Sequence, residues 1–150
     1  MAQSLARIYL HIVFGTKYRL PLIPEEVEDD LYRYMAGILN NMDGTAIKIG
    51  GVSDHVHILN TMPRTISVSK MIGILKKDSS KWLKTRSDKY KKFRWQDGYG
   101  VFSVSQKDVN RVKRYIENQH RHHSRKSFKD EYTTFLNACD VKYDERYIWL

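Results

Sequence analysis

From residue 7 to 16 apolar and polar positions alternate, with Ile8, Leu10, Ile12 and Phe14 on one parity and Tyr9, His11 and Val13 on the other. A period of two predicts a first strand with two different faces. Pro24-Glu25-Glu26 then opens a helix, because proline suits a first turn and acids suit its positive end. Val27, Leu31, Tyr34, Ile38 and Leu39 form its apolar stripe. The turn residues of 40–44 stop it, and 45–52 reads as a second strand, with Gly50-Gly51 marking a turn or bulge. A third strand spans 54–61 and ends at Pro63. Helical spacing returns over 67–85, with Val68, Met71, Ile72, Leu75, Trp82 and Leu83 inward and Lys70, Lys76, Lys77, Lys81 and Lys84 outward. A polar, basic loop leads to a fourth strand over 98–105. Ser105 with Asp108 starts a helix running towards His122, with Val109, Val112 and Ile116 as its buried stripe and Tyr115 and Gln119 at the stripe's edge. Ser127 starts a shorter helix carrying Phe128, Tyr132, Phe135 and Leu136.

The order β-α-β-β-α-β followed by helices predicts an α+β, ferredoxin-like split βαβ fold, an antiparallel sheet with helices on one face. The 150 residues make one domain. Residues 124–150 are a C-terminal extension, and the tail over 141–150 is too apolar to be free, so it docks on this domain or on a partner chain. Val56 and Ile58 facing the helices would leave His55 and His57 on an open sheet face.

Composition narrows the function classes. A single cysteine, Cys139, excludes an internal disulfide and a cysteine-rich zinc site, and reads as a small, at least half-buried residue. The N-terminus lacks a signal-peptide pattern and no apolar run reaches transmembrane length, which suggests a cytoplasmic protein with no membrane partner. The net charge of +9 favours a polyanion. Its cations are interleaved with aromatics in Lys89-Tyr90-Lys91-Lys92-Phe93-Arg94-Trp95, and the first strand ends in Thr16-Lys17-Tyr18-Arg19. Lys17, Arg19, Lys89, Lys91, Lys92 and Arg94 are therefore candidate contacts to nucleic-acid phosphates, and the rings could stack unpaired bases. The competing reading is a solvated loop with its aromatics tucked under it.

Two histidines on one strand face suit a divalent metal, and a tyrosine can attack a phosphorus that the metal polarises. His120, His122 and His123 resemble a further cluster, but neighbours on a helix face different ways, so a solvated or phosphate-touching helix end is the simpler reading. His11, if beside the histidine strand, is read as structural or DNA-contacting rather than as a ligand.

Taken together, His55-Val56-His57, then Trp95-Gln96-Asp97-Gly98-Tyr99 before a strand, then Tyr115-x-x-x-Gln119, and the opening Tyr9-x-His11-x-Val13-Phe14-x-Thr16-Lys17-x-Arg19, are similar to the HUH single-tyrosine transposases of bacterial insertion sequences. The resemblance spans nearly the whole chain; only the C-terminal extension is longer than the family minimum. It implies that His55, His57 and Gln119 bind Mg2+ or Mn2+. It also implies that Tyr115 attacks single-stranded DNA, leaving a 5′-phosphotyrosine and a free 3′-hydroxyl. The implied partners are hairpins near element ends and a second copy of the chain, in a homodimer with composite active sites. Two other readings stand beside this one: a domesticated relative acting on repeated palindromic DNA, and a non-catalytic nucleic-acid-binding domain of the same fold. A two-histidine phosphodiesterase would repeat a His-x-Thr or His-x-Ser element, and no such pair occurs.

Overall fold

The computed structural model describes residues 2–150. Its order is β1 (Tyr9–Gly15), α1 (Glu25–Asn41), β2 (Thr45–Val52), β3 (His55–Thr61), α2 (Val68–Arg86), β4 (Gly100–Val104), α3 (Val109–Glu117), α4 (Gln119–His123) and α5 (Phe128–Ala138), with three short 3-10 turns between them. The four strands form one antiparallel sheet in the order β2-β3-β1-β4. This is the ferredoxin-like arrangement read from the sequence.

One parity of each central strand builds the main core. Leu10, Ile12 and Phe14 of β1 and Val56 and Ile58 of β3 pack against Val27, Leu31, Met35 and Leu39 of α1 and Met71, Ile72, Leu75 and Leu83 of α2. In α1 the inward position is Met35, while Tyr34 sits at the rim and stacks on Trp82 at 4.8 Å. Lys76, expected outward, turns into the structure, where its ammonium donates to the backbone oxygens of Gln96 (2.8 Å), Asp97 (3.2 Å) and Gly98 (2.6 Å). Burial pushes its pKa down to about 8 against the pull of Asp97.

The other sheet face is not open. Val13 and Phe102 on that face are apolar and cannot be left in water, and α5 covers them with Phe128, Tyr132 and Leu136. The tail closes the same side. Trp149 packs against Phe128 and Tyr132, and the Leu150 carbonyl accepts from the backbone of Asp97 at 2.8 Å. The extension thus docks on its own domain. Cys139 ends exposed, not half-buried, because it follows the last turn of α5.

The helix expected from 105 to 122 is broken. A 3-10 turn (Gln106–Asp108) precedes α3, and Asn118 (φ −97°, ψ 17°) separates α3 from α4. Of the stripe Val109, Val112, Ile116 only Ile116 is fully buried. It lies directly over β2, and a Cβ on Gly50 would stand 2.7 Å from the Ile116 backbone oxygen. Glycine is required there for α3 to approach the sheet.

Candidate active site

The β2–β3 turn and the pleat of β3 place His55 and His57 side by side on the covered face, both fully buried. Each ring is oriented from behind. The Nδ1 of His55 lies 2.7 Å from Asp54 Oδ1, and the Nδ1 of His57 lies 2.8 Å from His11 Nε2. Both Nε2 atoms therefore point into the same space, the arrangement in which a partner on one ring nitrogen fixes the direction of the other. His11 acts as the structural neighbour that the strand order allows, since β1 pairs directly with β3.

The α3–α4 break brings Tyr115 and Gln119 to these rings. Gln119 is buried, with Oε1 3.1 Å from His55 Nε2, and the Tyr115 ring stands 5.7 Å from that of His57. Tyr115, His55, His57 and Gln119, drawn from the sequence as one set, are thus neighbours within a single chain.

Two further side chains join them: Glu131, which was not foreseen, and His123, which was read as part of a solvated helix end and instead turns inward. Glu131, on the first turn of α5, is 2 % exposed and lies at the centre of the group. Its Oε1 is 2.8 Å from His57 Nε2, 3.3 Å from His55 Nε2 and 3.0 Å from His123 Nε2. Its Oε2 accepts from the Tyr115 hydroxyl and from Gln119 Nε2 (3.3 Å). His123 closes the fourth side from α4, its ring 4.4 Å from that of His55. Of the three histidines grouped at the helix end, His120 instead pairs with the buried Glu28 of α1 at 2.7 Å, and His122 sits at the margin, 3.6 Å from Glu131 Oε2. A capping serine followed by acids reads as a helix start, so nothing in the local pattern marked Glu131; a glutamate four residues past that serine, on the covered face, was the available signal.

Electrostatics follow from this burial. Burial raises the Tyr115 phenol pKa, and the Glu131 carboxylate raises it further. Burial would also raise Glu131, but the imidazoles of His123, His55 and His57 outweigh it and hold the carboxyl below its usual range. His57 is pushed down to about 4 by burial, against the pull of Glu131, and His11 to about 3 by burial and by His57. Burial lowers His55 too, yet Asp54 and Glu131 together hold it above its ordinary value.

The candidate phosphate contacts are elsewhere and divide. Lys89, Lys91, Lys92 and Arg94 are exposed, but Tyr90, Phe93 and Trp95 between them are buried in the main core, with Trp95 Nε1 donating to Ser79 Oγ at 3.0 Å. These rings are tucked under the loop and are not available to stack on bases, while its cations face outward. Lys17 is engaged with Asp97 at 3.2 Å, and the Arg19 guanidinium lies over the Trp149 ring. Among the described residues no helix is long and apolar enough to cross a membrane.

The third strand of a four-stranded antiparallel sheet thus carries a histidine pair, faced by a tyrosine and a glutamine from the helices that follow. The model of the family described as "Transposase IS200 like" matches residues 4–119, and the chain belongs to that family. Two solved structures share the fold. One, from Deinococcus radiodurans R1 and named as a candidate transposase, is 22% identical with a TM-score of 0.61, over 79% of this chain and 98% of that one. The other is a REP-associated tyrosine transposase bound to a REP hairpin, 14% identical with a TM-score of 0.58, over 82% and 74% of the two chains. No curated protein matches the sequence.

Proposed function

We propose that the chain cleaves and rejoins single-stranded DNA at insertion-sequence ends, with Tyr115 as nucleophile and His55, His57 and Gln119 holding a divalent cation, Mg2+ or Mn2+. The observation that carries this reading is the placement of one carboxylate. Glu131 sets one oxygen against His57 Nε2 and the other against the Tyr115 hydroxyl, so a single oxyanion spans the distance between ligand histidines and nucleophile. A backbone phosphate bound beside this carboxylate would lie within reach of the same histidines and of the tyrosine. Tyr115 Oη then bonds to phosphorus as the bond from phosphorus to O3′ breaks, the phenol proton is lost, and the departing oxygen gains a proton to become a 3′-hydroxyl. A 3′-hydroxyl attacking the phosphotyrosine ester reverses the step and frees the tyrosine. The cation, when bound, polarises the phosphate and stabilises its developing charge. The chain supplies the orientation: Asp54 and His11 fix the histidine rings, and Ile116 seated on Gly50 fixes the helix that carries Tyr115.

The convergence of the His55, His57 and His123 imidazole nitrogens beside the Glu131 carboxylate, with His123 Nε2 making no aligned hydrogen bond, favours a metal at this place. The substrate proposed is a hairpin-bearing single strand, as in the structural neighbour bound to a REP hairpin, with the exposed Lys89, Lys91, Lys92 and Arg94 meeting backbone phosphates. The protein acts in the cytoplasm. The chain acts as a homodimer with composite sites, in which the helix carrying Tyr115 and Gln119 of one subunit completes the histidine site of the other.

The test is incubation with labelled single-stranded DNA from the gene's own flanks and Mn2+ or Mg2+. A covalent adduct is expected for the unaltered chain. Tyr115→Phe removes only the hydroxyl oxygen, so DNA binding should persist while the adduct disappears. An adduct in that variant, mapped to another tyrosine, overturns the assignment.

A further inference from the structure

Resting on the reading that His55 and His57 bind a cation, we propose that Glu131 and His123 are ligands of the same ion. The site then holds three imidazole nitrogens and a carboxylate oxygen beside Gln119, and takes a first-row transition-metal dication such as Mn2+ in preference to Mg2+. These two residues lie beyond the 4–119 span of the family match, His123 at the end of α4 and Glu131 in the C-terminal extension.

The first support is geometric. One ligand atom from each of His55, His57, His123 and Glu131 falls within 4.8 Å of every other. Tetrahedral ligands at about 2.0–2.1 Å from a zinc-like ion stand about 3.3–3.4 Å apart, so small movements bring the four into a coordination shell. The present separations from Glu131 Oε1 to the three Nε2 atoms, 2.8, 3.3 and 3.0 Å, reach that value or fall short of it by no more than about half an ångström.

The second support is independent of the first. His123 has a side chain only 7% exposed, and its Nε2 lies 3.0 Å from a carboxylate oxygen yet at an angle that makes no hydrogen bond. A buried nitrogen this close to a carboxylate but not aligned to hydrogen-bond with it is poorly satisfied, and a cation shared by the two groups would satisfy both. The Nε2 atoms of His55 and His57, directed by Asp54 and His11, aim at the same point.

Ligand chemistry sets the preference. Mg2+ demands near-octahedral oxygen ligands, and a buried group of three imidazoles with a single carboxylate supplies few of them. Imidazole nitrogens favour the later first-row ions, and a single carboxylate fits beside them.

The experiment uses the full chain without DNA. Co2+ affinity is measured by competition with a chromophoric chelator, and the visible spectrum of bound Co2+ reports coordination. Glu131→Gln and His123→Gln should each weaken Co2+ by tenfold or more and alter the spectrum. A hundredfold excess of Mg2+ should leave Co2+ in place. X-ray absorption on the unaltered chain loaded with Zn2+ needs no variant and should count three imidazoles. Two imidazoles, with affinity unchanged in both variants but lost in His57→Ala, overturns this inference and leaves the histidine-pair reading standing. No binding by the unaltered chain overturns both.

Discussion

The two faces of the sheet are buried equally and built oppositely. On the α1/α2 face the strands present Leu10, Ile12, Phe14, Val56 and Ile58 to a continuous apolar core. On the α3–α5 face the same strands present His11, His55 and His57 beside Val13, and a single carboxylate, Glu131, ties five neighbouring side chains together. Apolar burial contributes stability wherever it occurs, whereas buried polar groups return little net energy for their desolvation. The first face therefore holds the fold, and the second spends some of that stability on chemistry.

Ile58 and Leu59 put this comparison to a volume-matched test. They are adjacent in β3, both fully buried, and on opposite faces. Ile58 sits inside the main cluster, where neighbours cannot collapse, so Ile58→Ala should cost about 4 kcal/mol in urea unfolding. Leu59 lies outside both contiguous apolar clusters, and Leu59→Ala should cost about 2–3 kcal/mol. Equal losses, or a larger loss at Leu59, would show that the site face carries as much of the fold as the other.

The same contrast explains what the sequence revealed and what it hid. Strands β1 to β4, α1 and α2 follow from period and punctuation, and β2 ran over the predicted residues. His55 and His57 were legible because strand parity is a local rule, whereas Tyr115 and Gln119 were singled out by the family resemblance, their four-residue spacing saying only that they share a helix edge. The covering of the second face was not read, although Val13 and Leu59 on the histidine parity already demanded a lid. Glu131 and His123 reach the site through the docking of α5 and α4, which no local period encodes. Tyr90, Phe93 and Trp95 failed differently: in an irregular loop there is no period to say which rings turn in, and the anchor, Ser79 beneath Trp95, lies on another element.

Acid should separate the faces next, in metal-free buffer. His57 and His11 fall to about 4 and about 3 in the folded chain, below the ordinary value of 6.5, so between those limits the unfolded chain binds more protons. Stability is then fully present above pH 6.5 and lost as pH falls through that window. The loss should approach about 1.4 kcal/mol per pH unit for each histidine. His55, shifted upwards, carries the opposite sign, and its contribution is present below 6.5 and lost only as pH rises through its folded value. The urea midpoint should therefore drop steeply from pH 6.5 to 4.5, and more shallowly in His11→Phe, whose ring no longer titrates. An unchanged slope in that variant would mean His11 is not buried as the neutral base.

The smallest effect on the fold is expected where neither face is involved. Lys91, Lys92 and Arg94 are exposed while the rings between and beside them are buried, so replacing all three by glutamine should move stability by no more than about 0.5 kcal/mol per site. If these side chains meet DNA phosphates, the replacement shows instead in the salt dependence of binding. Each lost contact to a single strand should lower the slope of log affinity against log salt by about 0.7. Because Phe93 and Trp95 cannot stack on bases, the same variant should keep its preference among loop sequences while weakening for all of them alike. A sequence-dependent loss with an unchanged slope would mean that this loop reads bases after all, and that its rings leave the core when DNA arrives.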